Sequence, residues 1–237
     1  MSFEKLSQEE YNKIREKFIL KYSHWQKKVK IVSLGWDCLP RTIFTWWGIK
    51  KTKENGELSY PFDLSMHNLS STIKILRNNF EDYLKDIYFE ENTKLWKNYR
   101  YNIIYNHDKS ITSKEEFRNR YWKRILNFNQ TIQNEDEIFF IYHALHDDKQ
   151  EDIQLLSKEL LKLRNGKKYH LIVISDTWKR LKKIQNVSLC FVPLPSEKYE
   201  WWNIEHFSDR GIEYERQIIE KCISIFKQEL FIWKKTL

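Results

Sequence analysis

The chain has 237 residues, enough for one large domain with a substantial core, and 41% of them are hydrophobic, which excludes a wholly disordered protein. No run approaches the ~18 apolar residues of a membrane span, and the charged first residues lack the apolar core of a secretory signal, so we expect a cytoplasmic protein. The net charge of +8 favours an anionic small molecule or a glycan as substrate, whereas the dispersal of the basic residues does not favour nucleic acid.

The first half of the chain is predicted to consist of helices around one buried strand. The β-branched run 29–34 predicts that strand, and Pro40 suits the first turn of the helix that follows it. Ser113 and Glu116 predict a capping box at the start of a later helix. The spacing of apolar residues predicts helices over 1–28, 39–49, 69–84 and 113–132, and a further strand over 96–108.

The second half of the chain predicts a parallel sheet. Continuous apolar runs predict strands over 136–145, 170–175 and 188–195, with a helix over 147–166 between the first two and a C-terminal helix over 210–235. Strands that are apolar on both faces and joined by helices are typical of parallel pairing. We therefore expect a single α/β domain over 1–237. It would have an open, mainly parallel sheet flanked by helices, as in Rossmann-like or lipase-like three-layer folds. A mainly helical insertion would span 66–132 and a strand–helix–strand core 136–195.

Cys38 is the first candidate for chemistry, because it follows a predicted strand end and precedes a helix. Helix N-termini lower thiol pKa values and can stabilise an oxyanion through exposed N–H groups, here those after Gly35. A metal ligand and a small packed residue are the alternatives for Cys38. Three cysteines without paired spacing predict neither a disulfide framework nor a zinc site, and no phosphate-binding glycine loop is present. No cofactor or metal is therefore expected.

A thiol nucleophile needs a base, and histidines next to carboxylates near predicted strand ends are candidates. His107 with Asp108 is favoured, with Asp108 or Asp63 expected to orient it. Further residues are candidates for binding the substrate. They are Ser33, Gly35, Asp37, Arg120 and Arg124 (four apart on one helix face), His143, His206, and the pair Trp201 and Trp202, which we expect to be exposed or half-exposed.

Several of these segments occur together in one known family. SLGWDC (33–38), SYPFDLS (59–65), NNFEDYL (78–84), YNHD (105–108) and FRNRYWKRI (117–125) resemble a bacterial family of uncharacterised proteins. That family is catalogued as papain-like cysteine peptidases and often lies in gene neighbourhoods for surface polysaccharide or glycan synthesis. The resemblance covers about residues 30–145.

The resemblance implies a reactive thiol at Cys38, a histidine at His107 with Asp108, a structural or catalytic turn ending in Asp63, and arginines at positions 120 and 124. Papain-like enzymes usually place the thiol at the start of a long helix and the histidine on a later β-barrel-like half. The layout predicted here is closer to the open sheet of lipase-like hydrolases.

Three functions remain open from the sequence. The first is a thiol-dependent hydrolase or acyltransferase acting in bacterial surface-glycan metabolism. The second is a glycan-assembly transferase that moves a sugar or a phosphate-linked group in a basic cleft, with Cys38 structural. The third is a non-catalytic binding module. Oligomeric state and peripheral contact with a membrane are likewise left open.

Overall fold

A computed structural model describes residues 5–235. Within that range the chain forms six α-helices and seven strands, with short 3-10 segments at Ser23–Lys27 and Ile204–His206. In chain order they are α1 (Gln8–Tyr22), β1 (Ile31–Ser33), α2 (Leu39–Trp46), α3 (Leu69–Arg77), β2 (Ile87–Glu90), β3 (Leu95–Asn98), β4 (Ile103–Tyr105), α4 (Lys114–Asn134), β5 (Glu137–His143), α5 (Gln150–Arg164), β6 (Lys168–Ser175), β7 (Val187–Phe191) and α6 (Asp209–Lys235). None of the described helices is both long and apolar enough to cross a membrane.

The central sheet has four strands in the order β1-β5-β6-β7, and every neighbouring pair is parallel. Strand β5 pairs with β6 from Glu137–Lys168 to His143–Ile174. The mainly parallel α/β fold expected from the sequence is confirmed. All of β5 except its first residue is buried, as the continuous apolar run predicted.

Alternate residues of the sheet fill two separate cores. Phe140, Leu171 and Val173 point to the face covered by α3, α4 and α5. Ile141, Ile172 and Ile174 point to the face covered by α1, α2 and α6. Two covered faces make a three-layer molecule, with β5 and β6 at its centre.

The insertion contains strands as well as helices. The helix predicted over 69–84 ends at Arg77, because Asn79 and Phe80 take left-handed conformations (φ 50° and 61°) that an α-helix does not continue through. The strand predicted over 96–108 is a hairpin, since β3 and β4 turn at Asn102 (φ 50°) and pair antiparallel. With β2 they form a small three-stranded sheet in the order β2-β3-β4.

The N-terminal helix is shorter than the 1–28 predicted. Its α-helical part begins after Ser7, which forms a capping box with Glu10, and ends at Tyr22. Residues 1–4 of the predicted helix lie outside the described residues.

Candidate active site

Cys38 lies at the carboxyl edge of the parallel sheet, where β1 passes into α2. It is the N-cap residue of α2, and its side chain is partly exposed. The turn from β1 packs closely on β5: a Cβ at Gly35 would lie 3.1 Å from both the backbone nitrogen of His143 and Cγ of Pro40. Glycine at position 35 therefore allows the turn to approach β5, which fixes the position of Cys38 relative to that strand.

The imidazole of His107 contacts this thiol. Nε2 of His107 lies 3.3 Å from Sγ of Cys38, within hydrogen-bonding distance for sulfur. The two residues are 69 positions apart in the sequence. Nucleophile and base within hydrogen-bond reach are the first geometric requirement of a thiol-dependent acyl-transfer site.

The small antiparallel sheet brings His107 to this position. His107 follows β4, and β4 is tied to the segment after the Pro61–Asp63 turn by two backbone hydrogen bonds between Met66 and Ile104. The backbone N–H of His67 donates to the carbonyl of Trp36 at 3.0 Å. Three loops distant in sequence therefore meet beside the turn that carries the thiol.

Thiol and imidazole are both neutral at rest. Burial, and secondly the charge of Asp37, raise the pKa of Cys38 to about 12. Burial also lowers the pKa of His107; the charge of Asp108 opposes this effect, and the charge of Arg124 adds to it. A neutral imidazole beside a protonated thiol can accept the proton as the sulfur attacks, as a general base does.

Asp108 does not hold His107. Its buried carboxylate accepts from Arg120 (2.8 Å) and from the hydroxyl of Tyr121 (2.8 Å), and it pairs with Arg124 (3.4 Å). No carboxylate of residues 5–235 is hydrogen bonded to the His107 ring. The two arginines, considered from the sequence as substrate ligands, thus share a carboxylate of the protein itself, although Arg120 remains 42% exposed.

Asp37 joins the turn to a second histidine. Its Oδ1 lies 2.9 Å from Nδ1 of His143 and accepts from the backbone of Leu39, while Oδ2 accepts from Nε1 of Trp201 at 3.0 Å. Burial lowers the pKa of His143, but the charge and hydrogen bond of Asp37 outweigh it and raise the pKa above its ordinary value. When His143 is protonated, the two side chains form a buried ion pair across the ends of β1 and β5, and the raised pKa favours that state.

Asp63 lies in a different buried cluster. Its Oδ2 accepts from the backbone of Tyr60, and its Oδ1 is 4.0 Å from Nζ of Lys50. Burial lowers the pKa of Lys50 to about 8, although the charges of Asp63 and Glu57 raise it. The carboxylate of Asp63 therefore stabilises the Pro61–Asp63 turn and forms no hydrogen bond with the His107 ring.

The remaining candidates for substrate binding form no hydrogen bond with Cys38 or His107 within residues 5–235, and they differ in their exposure. Trp201 is buried, contrary to our expectation, whereas Trp202 is 51% exposed and packs edge-on against it. Nδ1 of His206 accepts from the backbone of Glu200 beside a separate small cavity. The hydroxyl of Ser33 is fully buried and has no hydrogen-bond partner in the described chain.

Backbone N–H groups beside the thiol differ in their availability. That of Trp36 donates to the carbonyl of His143 (3.4 Å), and that of Leu39 donates to Asp37. The N–H groups of Asp37 and Cys38 donate to no other described residue. They are the groups that could bind an oxyanion formed on an attacked carbonyl.

Sequence reasoning did not select two residues at this site. Tyr121 supplies a hydrogen bond to Asp108, but an aromatic residue at helical spacing reads as core. His67 stacks on Phe62 (4.9 Å), and both of its ring nitrogens are buried without a partner in residues 5–235. Its position after the Pro61–Asp63 turn was the one available signal.

The described residues contain neither a cluster of candidate metal ligands nor a disulfide. No group of three His, Cys, Asp or Glu side chains there could hold a metal ion. All three cysteines are free thiols; Cys190 and Cys222 are buried, and Cys38 alone is partly exposed.

One family model matches most of this chain. The model of a family described as "Putative papain-like cysteine peptidase (DUF1796)" matches residues 29–174. This range is more than half of the chain and contains Cys38, His107, Asp108 and His143. Searches of curated proteins and of solved structures found no match. The chain therefore belongs to the DUF1796 family, whose description is that of papain-like cysteine peptidases.

Proposed function

We propose that this protein is a thiol-dependent hydrolase or acyltransferase, with Cys38 as the nucleophile and His107 as its base. The observation that carries the proposal is the 3.3 Å contact between Sγ of Cys38 and Nε2 of His107. The thiol begins a helix and the histidine follows an antiparallel strand. The description of the family as a cysteine peptidase family supports a reactive thiol in this chain.

The reaction would begin with a neutral pair. Nε2 of His107 takes the thiol proton while Sγ attacks the acyl carbon, and the N–H groups of Asp37 and Cys38 receive the developing oxyanion. The tetrahedral intermediate then collapses to a thioester on Cys38, and the imidazolium of His107 returns its proton to the leaving group. Attack on the thioester by water gives hydrolysis, and attack by a hydroxyl or amine gives acyl transfer.

We extend the proposal to the substrate class, an acylated or anionic glycan. Support comes from the net charge of +8, from the exposed part of Arg120, which is paired with Asp108, and from Trp202. Trp202 packs on Trp201, whose Nε1 bonds to the residue before Cys38. An exposed indole suits the apolar face of a sugar ring.

The test uses p-nitrophenyl acetate as a general acyl donor, with release of nitrophenol and intact mass as readouts. The wild-type protein should gain one acetyl group on Cys38, and Cys38→Ser and His107→Ala should each lose at least about 100-fold in acylation rate. His146→Ala, which removes an exposed histidine after β5, is the matched control and should change little. An undiminished rate in Cys38→Ser would remove the proposal and favour a glycan transferase or a binding module.

A further inference from the structure

A second site lies at the opposite edge of the parallel sheet. A cavity of about 830 Å³ opens at the amino ends of β1, β5 and β6, where Ile31, Glu137 and Lys168 line it. Cys38 follows the carboxyl end of β1, so the cavity and the thiol lie at opposite edges. A volume of this size is in the range that holds a small-molecule ligand.

The cavity wall is strongly basic. Seven of its 18 lining residues are lysines and four carry carboxylates. We call it the lysine cleft. Several positive charges that converge on one concavity focus the electrostatic potential inside it, and this potential attracts anions.

Three of these lysines have a structural role. Lys50 donates to the carbonyl of Ile31, Lys167 to that of Gln133 near the end of α4, and Lys168 to that of Trp233 near the end of α6. Lys167 and Lys168 bond carbonyls near helix ends, as lysines often do, and Lys50 bonds a carbonyl of β1. They do not by themselves indicate a ligand.

The other four lysines have no such role. Lys30 shares Glu57 with Lys50. Lys27, Lys28 and Lys51 are exposed, and no carboxylate of residues 5–235 forms an ion pair with them. Lys28 also lies over the ring of Trp25, 5.4 Å from its centroid. The cavity rim therefore carries three exposed cations that have no carboxylate partner in residues 5–235.

The chemistry of the wall indicates which anion fits. No arginine is among the lining residues, so the wall lacks the planar, two-pronged donor that binds carboxylates and phosphates alike, and its anion contacts come from lysines alone. Lysine ammonium groups act as point charges and suit phosphate oxygens. The concave shape fits a compact ligand better than a polymer or a membrane surface.

We propose that the lysine cleft binds a small phosphorylated ligand with at least two negative charges. The site is separate from the proposed reaction at Cys38 and does not depend on it. Inorganic pyrophosphate is the simplest probe of this chemistry.

Isothermal titration of the full chain with pyrophosphate tests the proposal. The wild-type protein should bind one equivalent at millimolar or lower concentration. The triple variant Lys27→Gln, Lys28→Gln, Lys51→Gln should bind about tenfold more weakly. The matched triple variant Lys17→Gln, Lys74→Gln, Lys227→Gln removes the same charge from exposed helix positions and should change affinity by less than about twofold. Cys38→Ser should bind as the wild type does.

Acetylation of the wild-type protein gives a measurement that does not depend on the folding of a variant. Pyrophosphate should slow acetylation of Lys27, Lys28 and Lys51 and leave that of Lys17 unchanged, as read by peptide mass. Equal weakening in both triple variants, equal protection of all lysines, or no saturable binding would overturn the proposal.

Discussion

Asp37 precedes the candidate nucleophile, yet its carboxylate binds His143 (Oδ1 to Nδ1, 2.9 Å) and not His107. The site therefore contains two histidines in different states. His143 is held in a buried ion pair, while His107 contacts the thiol and is held by no carboxylate of the described residues. Asp37 ties the turn after β1 to β5, and His107, which lies in the insertion after β4, contacts the thiol.

The ion pair predicts a pH dependence of stability. Because the folded-state pKa of His143 is raised, its protonation stabilises the fold fully below about pH 6.5, and this stabilisation is lost as pH rises through the folded pKa. We expect the free energy of unfolding of the wild type to fall more steeply as the pH rises above about 6.5 than that of His143→Gln. Urea denaturation at several pH values measures the free energy of unfolding of both proteins. The same dependence on pH in both would contradict the ion pair.

Asp37 should also set the reactivity of the thiol. Its charge is the second cause, after burial, of the raised pKa of Cys38. We expect Asp37→Asn to lower that pKa and so to speed alkylation of Cys38 by iodoacetamide at alkaline pH. Asp147→Asn removes an exposed carboxylate after β5 and serves as the control. A rate in Asp37→Asn equal to that of the control would show that the charge does not act on the thiol.

Variants of Asp108 and Arg120 distinguish a structural role of Asp108 from a role in positioning His107. Asp108→Ala leaves Arg124, which is 8% exposed, without its carboxylate, and loss of one partner of a buried ion pair costs about 3–5 kcal/mol. Arg120→Gln removes the more exposed partner and should cost less than about 1 kcal/mol. Chemical denaturation measures both. A fully stable Asp108→Ala protein with lost acylation would instead indicate that Asp108 orients His107.

The parallel sheet could be predicted from the sequence, because β5 and β6 are continuous apolar runs. Such a run by itself indicates a strand that is buried on both faces. It also singled out Cys38 and His107 by their positions after strand ends. The hairpin of β3 and β4 was not foreseen, since the sequence over 96–108 alternates without a visible break and only the backbone at Asn102 turns it.

Partners across the molecule could not be read from the sequence. The four-residue spacing of Arg120 and Arg124 places them on one helix face, but it does not say that Asp108 lies opposite that face. Trp201 looked exposed beside a proline-bounded loop, yet its indole N–H reaches the buried carboxylate of Asp37. Such contacts depend on loops that meet only after the whole chain has folded.

His67 should destabilise the fold in acid. Burial lowers its pKa to about 3, so the folded state keeps it neutral while the unfolded chain protonates it below about pH 6.5. The stability linked to this group is present above that pH and is lost as pH falls, by about 2 kcal/mol at about pH 5. His67→Phe, which can keep the stacking on Phe62, should remove this loss. Chemical denaturation at about pH 5 and about pH 7.5 measures the loss of stability in both proteins. An equal loss in the wild type and in His67→Phe would argue against a buried neutral His67.

The pH dependence of acylation tests the central claim most directly, namely that His107 is the base for Cys38. With p-nitrophenyl acetate, we expect the wild-type rate to rise with pH and level off, with a midpoint below about pH 6.5, because the pKa of His107 is lowered. In His107→Gln the rate should be low at neutral pH and keep rising into the alkaline range, following the thiol with its pKa of about 12. A wild-type rate that also keeps rising above pH ~9, as a directly ionising thiol requires, would contradict the account.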